Sequence, residues 1–149
     1  MRKLARLSFI FFLALSVSCS QDKEARERDS ERYVSLFQKK FNEKDIAAIY
    51  DNASDNLKVG VKKEEFIGSI EKIRETLGEN ISTKKDKIFY LEDTNGVPLL
   101  VVTYNTRFAK GVGVETFMLE LEKKRVSLHR YNINSDDLVR SLLLGEKKD

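Results

Sequence analysis

His129 is the single histidine of this 149-residue chain and Cys19 its single cysteine. A metal centre or a nucleophile–histidine pair needs partners that neither residue type can supply here. His129 is therefore expected to be a strand residue with no catalytic role. Carboxylates leave acid–base chemistry open, provided two of them share a pocket with shifted pKa values. Glu92, Glu115 and Glu120 fall on segments with strand patterning, and Glu115 shares a face with Phe117 and Leu119. Its expected partner is Arg107 or Arg130 on a neighbouring strand.

Two further motifs are explained by turns. Gly111-Val112-Gly113 lies between two strands with no helix after it, so no helix N-terminus is offered to a phosphate, and a glycine hairpin is expected. Asp51-Asn52-Ala53-Ser54-Asp55-Asn56 is rich in oxygen ligands but lacks the central glycine of a calcium loop. No metal and no cofactor is expected. Tyrosines have an apolar ring and a polar tip suited to a pocket wall. If a small-molecule pocket exists, Tyr90, Tyr104 and Tyr131 are expected to line it, with Glu115 as its acid and Tyr50 and Arg107 at its rim. Lys84-Lys85 and Lys123-Lys124-Arg125 read as solvated turns, with anionic lipid headgroups a second reading.

The elements that must position these residues follow from hydrophobic period. Tyr33, Leu36, Phe37 and Phe41 share one helical face, with Ser30 as the expected cap. Asp45 precedes a short set, Ile46, Ile49 and Tyr50. Residues 51–61 read as a loop with one short extended piece. Phe66, Ile70, Ile73 and Leu77 form the clearest helix, and Gly78 stops it. The period then changes to that of strands: Lys87 to Glu92, Val97 to Phe108, Val114 to Leu121 and Val126 to Ile133. Asp93-Thr94-Asn95-Gly96 joins the first two as a hairpin. The second connection is Ala109 to Gly113, and Pro98 sits at the start of its strand, where a missing N–H is tolerated. Ser135 caps a last helix with Leu138, Val139, Leu142 and Leu143, ended by Gly145. This order predicts an α+β fold, with N-terminal helices on one face of a bent antiparallel sheet of about four strands. The domain is expected to span residues 31–145.

Charge is concentrated at the start. The formal net charge is +3, from 27 Lys and Arg against 24 Asp and Glu, and the first 18 residues hold Arg2, Lys3 and Arg6 and no acid. Without those three, bases and acids balance, which argues against a nucleic-acid partner. Residues 1–18 read as a signal peptide: a basic start, then an apolar run from Leu7 to Val17 that is short for a bilayer span of roughly 20 residues. Residues 19–30 follow as a charged tether.

Ser18-Cys19-Ser20 directly after that run resembles the lipobox of bacterial lipoproteins. Ser16 takes the place where that pattern usually carries Leu, and Leu15 sits one residue earlier. The resemblance implies lipid on Cys19, a membrane anchor, and a place in the cell envelope. Ser20 after the cysteine favours the outer membrane by the same resemblance. A second resemblance covers residues 30 to 135. Tyr33 to Phe41, Lys62-Lys63-Glu64-Glu65-Phe66, Thr103-Tyr104 with Phe108, Glu115-Thr116-Phe117 and Tyr131-Asn132-Ile133-Asn134-Ser135 are similar to stretches of the nuclear transport factor 2-like (cystatin-like) superfamily. That implies a cone between a bent sheet and its helices, and members with and without a ligand in it. Fold does not settle function. The expectation is a lipid-anchored, non-catalytic envelope module that binds a protein partner or another envelope component. The alternative is a small-molecule pocket or small isomerase or hydrolase using the cone.

Overall fold

The structure, a computed structural model, describes residues 7–122 and 125–144, with side chains from residue 21 onward. The basic start at Arg2, Lys3 and Arg6, the Cys19 side chain, Lys123-Lys124 and Gly145 lie outside the described residues. Five helices and four strands follow in the order α1 (Leu7–Glu43), α2 (Ile46–Asp51), α3 (Asp55–Gly60), α4 (Lys63–Leu77), β1 (Asn80–Glu92), β2 (Pro98–Phe108), β3 (Gly111–Leu121), β4 (Val126–Asn134) and α5 (Asp136–Leu144). The strands form one antiparallel meander, β1-β2-β3-β4. The fold is α+β, as the order of periods predicts.

Helix α1 departs from expectation at its start. Ser30 does not cap a new helix; it is buried within α1, and its Oγ donates to Glu27 O at 2.7 Å. The charged segment expected as a tether is helical. Glu24–Arg28 and Asp29–Arg32 place opposite charges one turn apart, which supports helix on an exposed face. The buried stripe is Ser30, Val34, Phe37 and Phe41, while Leu36 faces outward. Residues 51–61 also differ. Ser54 Oγ accepts from Leu57 N at 3.1 Å and so caps α3, which buries Leu57.

Helix α4 buries Phe66, Ile70 and Leu77 and ends at Gly78, whose φ is +81°. A Cβ at Gly78 would stand 2.9 Å from that of Ala109, so glycine serves both the turn and the close approach of the β2–β3 connection. That connection is only Ala109-Lys110, tied down by Lys110 N to Leu77 O at 2.8 Å. Gly111-Val112-Gly113 is the start of β3 and not part of the turn. A Cβ on Gly111 would lie 2.6 Å from Asp137 Oδ2, so the glycine admits α5 against the strand. Strand β1 begins at Asn80, seven residues before the expected start at Lys87; its first half pairs with β2 but is polar and largely exposed, so it shows no apolar alternation to read.

The core lies between the helices and one sheet face. Val34, Phe37 and Phe41 of α1 and Ile46 and Ile49 of α2 meet Leu100, Val102, Tyr104 and Phe108 of β2, Phe117 and Leu119 of β3, and Leu128 of β4. Among the described residues, no helix is long and apolar enough to cross a membrane.

Candidate functional site

On β3, Glu115, Phe117 and Leu119 point inward together, as their alternation requires. Glu115 is 2% exposed. Its partners are neither Arg107 nor Arg130. Thr106 donates to Glu115 Oε2, and Tyr131 OH donates to Oε1 at 2.9 Å. Burial pushes the Glu115 pKa up, and hydrogen bonding from Thr106, Tyr131 and Gln38 pulls it back only in part. Gln38 Nε2 itself is buried without a well-formed hydrogen bond. The Phe37, Tyr104 and Tyr131 rings surround Phe117 at centroid distances of 5.0, 5.9 and 5.2 Å. Tyr104 is raised to about 12 by burial and by the charges of Glu31 and Glu115. Burial and the adjacent Glu115 carboxylate raise Tyr131 well above the usual tyrosine range.

The structure thus brings Tyr104, Glu115 and Tyr131 together, inside packed rings. It places the other three pocket candidates elsewhere. Tyr50 OH donates to Val61 O at 2.8 Å and its ring packs on Phe66. Tyr90 lies against α1, its OH 3.3 Å from Glu27 Oε1. Arg107 is on the opposite sheet face, in a groove of about 620 Å³ with Ser82, Lys84, Asn105 and Asn134. In the 51–56 segment, Asp51 accepts from Lys63 at 2.6 Å, and Ser54 caps α3. Among the described residues, no three His, Cys, Asp or Glu side chains stand where they could share a metal ion.

His129, read as a strand residue with no second His or Cys to act with, has a carboxylate partner. Its Nδ1 is 2.7 Å from Glu120 Oε1, and Asn56 Nδ2 donates to the same oxygen at 3.0 Å. His129 stands two residues from Ser127, which pairs with Glu120, so the ring shares the outer sheet face with Glu120. A β-bulge falls there: Met118 faces Arg130 and Leu119 faces Leu128, so His129 is the extra residue of β4, and the shift turns Tyr131 inward opposite Phe117. His129 lines a groove of about 540 Å³ between α3 and the β1–β2 turn; Val59, Leu91, Leu99 and Met118 are its apolar lining, the rest is mostly polar, and Glu120 is not part of the lining. A carboxylate on Nδ1 fixes the ring's orientation and leaves Nε2 for a ligand.

Burial works to raise the Glu120 pKa, but hydrogen bonds from His129, Ser54 and Asn56 outweigh it, and the net shift is downward. A carboxyl held lower in the fold than in the unfolded chain contributes stability above the usual carboxylate range. That contribution is lost as pH falls through the lowered value. Glu120→Gln is therefore expected to flatten the acid limb of a melting temperature against pH curve. An acid limb as steep as that of the unaltered protein would show that Glu120 carries no such linkage.

A family model described as "Protein of unknown function (DUF4019)" matches residues 31–130, more than half of the chain. The chain belongs to this family. The DUF4019 span holds Glu115, Phe117, Glu120 and His129 and stops one residue short of Tyr131. It leaves out α5 and all of α1 before Glu31. No curated protein and no solved structure matches the chain.

Proposed function

We propose that this DUF4019 protein is a non-catalytic binding module of the cell envelope, exported by residues 1–18 and held to a membrane by lipid on Cys19. The observation that carries the binding role is the outer-face groove of about 540 Å³, lined by His129, which buried Glu120 orients from outside the lining, with apolar Val59, Leu91, Leu99 and Met118 among polar residues. Ligand sites combine apolar lining with a few placed polar groups, and this groove has both. The anchoring role rests on the position of the only cysteine, directly after the apolar run. Two or more acyl chains make such an anchor stable where one would not. Helix α1 would continue from the anchor into the domain. Its exposed turn is already braced by Tyr90, whose ring lies 5.2 Å from Lys23 Nζ.

Cys19→Ser is expected to move the protein from the membrane pellet to the soluble fraction of lysed cells. The mass of the unaltered protein, extracted from its own membranes, is expected to begin at an acylated Cys19. A chain that pellets equally with serine at position 19, or whose mass shows no acyl group, would overturn the anchoring.

The Glu120–His129 pair also favours a second reading, a small enzyme in which His129 takes a proton from a bound substrate. A metabolite that the natively extracted chain converts to a product, with the conversion lost on His129→Ala, would favour that reading.

A further inference from the structure

We infer that β1 is a pairing edge, and that the free backbone of Ile88–Glu92 joins antiparallel to the same segment of a second copy of this chain. The inference goes beyond the anchoring and the groove and rests on neither.

The sheet order leaves β1 and β4 at the two edges. The β4 edge is covered in part by α3, with Ser54 N bonded to Leu128 O at 2.9 Å. Along β1, no strand among the described residues pairs with the outer side. Proteins guard such edges with lysines and bulges. The first half of β1 is guarded in this way. It carries Lys84, Lys85 and Lys87, and its register shifts between Asn80 and Ser82 and again between Lys85 and Lys87. The second half is not. Ile88-Phe89-Tyr90-Leu91 runs in regular register with Val102 to Leu99, and Phe89, Tyr90 and Leu91 are 49%, 41% and 43% exposed.

The β1–β2 hairpin fixes which groups are free. Asp93 N bonds Val97 O at 3.0 Å. Hydrogen-bonded pairs alternate along an antiparallel ladder, so Leu91–Leu99 and Phe89–Val101 are such pairs. Glu92–Pro98 is not, which suits a proline without an N–H. The N–H and C=O groups of Ile88, Tyr90 and Glu92 therefore point away from β2.

Charge selects the occupant and the register. With Tyr90 opposite the Tyr90 of a second copy, every free group meets its complement. On the outer face Phe89 then stands opposite Leu91, and Lys87 opposite Asp93, each twice about the two-fold axis. A slip of two residues in either direction puts Lys87 opposite Leu91 or Phe89 opposite Asp93. Pairing consumes both β1 edges, so assembly closes at a dimer with an eight-stranded sheet.

The test uses the full chain in mild detergent. Native mass spectrometry and sedimentation are expected to show a dimer. Phe89→Lys with Leu91→Lys sets like charges opposite each other on exposed positions. It is expected to raise the dimer dissociation constant at least about tenfold with an unchanged circular dichroism spectrum. For register, Tyr90→Cys in a Cys19→Ser background places two thiols on directly opposed residues, about 5.5 Å apart at Cα, within disulfide reach. It is expected to form a disulfide-linked dimer on mild oxidation, far faster than Val59→Cys in the same background. A chain monomeric at the highest concentration reached would overturn the inference. So would a dimer indifferent to the lysines, or cross-linking no faster than that of the Val59→Cys control. None of these results bears on lipid at Cys19 or on the groove, which the fractionation and conversion measurements read separately.

Discussion

Phe117→Ala is expected to lower the unfolding free energy by about 3–5 kcal/mol, the range for removing a fully enclosed aromatic ring. Phe117 is 0% exposed. Three aromatic rings close on it, two of them, Phe37 and Tyr104, edge to face, and such contacts contribute beyond buried area. The cavity cannot collapse easily. Strand β3 is held on both sides, by β2 opposite Val102 and by β4 opposite Tyr131, so the backbone has no room to move inward. Urea denaturation checks the expectation: the midpoint falls while the slope with denaturant stays the same. Phe117→Leu keeps most of the volume and is expected to cost less than half as much. A loss for Phe117→Ala smaller than that of an exposed-site control such as Val59→Ala would mean that these rings do not form the centre of the core.

The second large effect is at Glu115, where two substitutions are expected to diverge. Glu115→Ala removes the acceptor of both the Thr106 and the Tyr131 hydroxyls. A buried polar group left unsatisfied costs about 1–3 kcal/mol, so stranding both, with a cavity added, places this variant among the severe ones. Glu115→Gln keeps the shape and an acceptor and removes the ionisable proton. At neutral pH it is expected to be as stable as the unaltered protein or more so. The reason is the direction of the Glu115 shift, upward because of burial. The folded state holds that proton to higher pH than the unfolded chain does. Stability from this group is therefore full below the usual carboxylate range and declines as pH rises through the raised value. Glu120 has the opposite sign and acts below the ordinary carboxylate value while Glu115 acts above it, so together they give a stability maximum between the two windows. Denaturation at a series of pH values separates them, since Glu115→Gln removes the decline with rising pH and Glu120→Gln the decline with falling pH. A Glu115→Gln protein that loses stability more steeply with rising pH than its parent would refute the assignment.

Both effects depend on the same strand, and they show how differently its two faces were legible. The inward alternation of Glu115, Phe117 and Leu119 is visible in the residues themselves. That Glu115 answers to hydroxyls and not to an arginine is not visible. Arg107 and Arg130 lie on the outer face, while Thr106 and Tyr131 share the inner one. The His129–Glu120 pair follows from the hairpin register: Ser127 stands opposite Glu120, and His129, two residues on, shares that outer face diagonally. What has no residue signature is the bulge after it, which turns Tyr131 inward to meet Phe117 and Glu115. The pocket of tyrosines failed as a group because two of its members, Tyr50 and Tyr90, satisfy their hydroxyls locally, against Val61 and α1.

The residues alone determined the stop at Gly78, the change to a strand period from Lys87, the Asn95-Gly96 turn, the meander, and the α+β class. Each of these is a local property, written in spacing of two or of three and four, or in a positive φ that glycine tolerates. The tertiary structure decided what is not local. The polar first half of β1 is a strand because β2 offers it hydrogen bonds along its whole length. The charged segment before Glu31 is helical, with Tyr90 braced against it. Strand register and bulge position, set by how whole strands fit a shared core, decide which of the few chemical side chains meet.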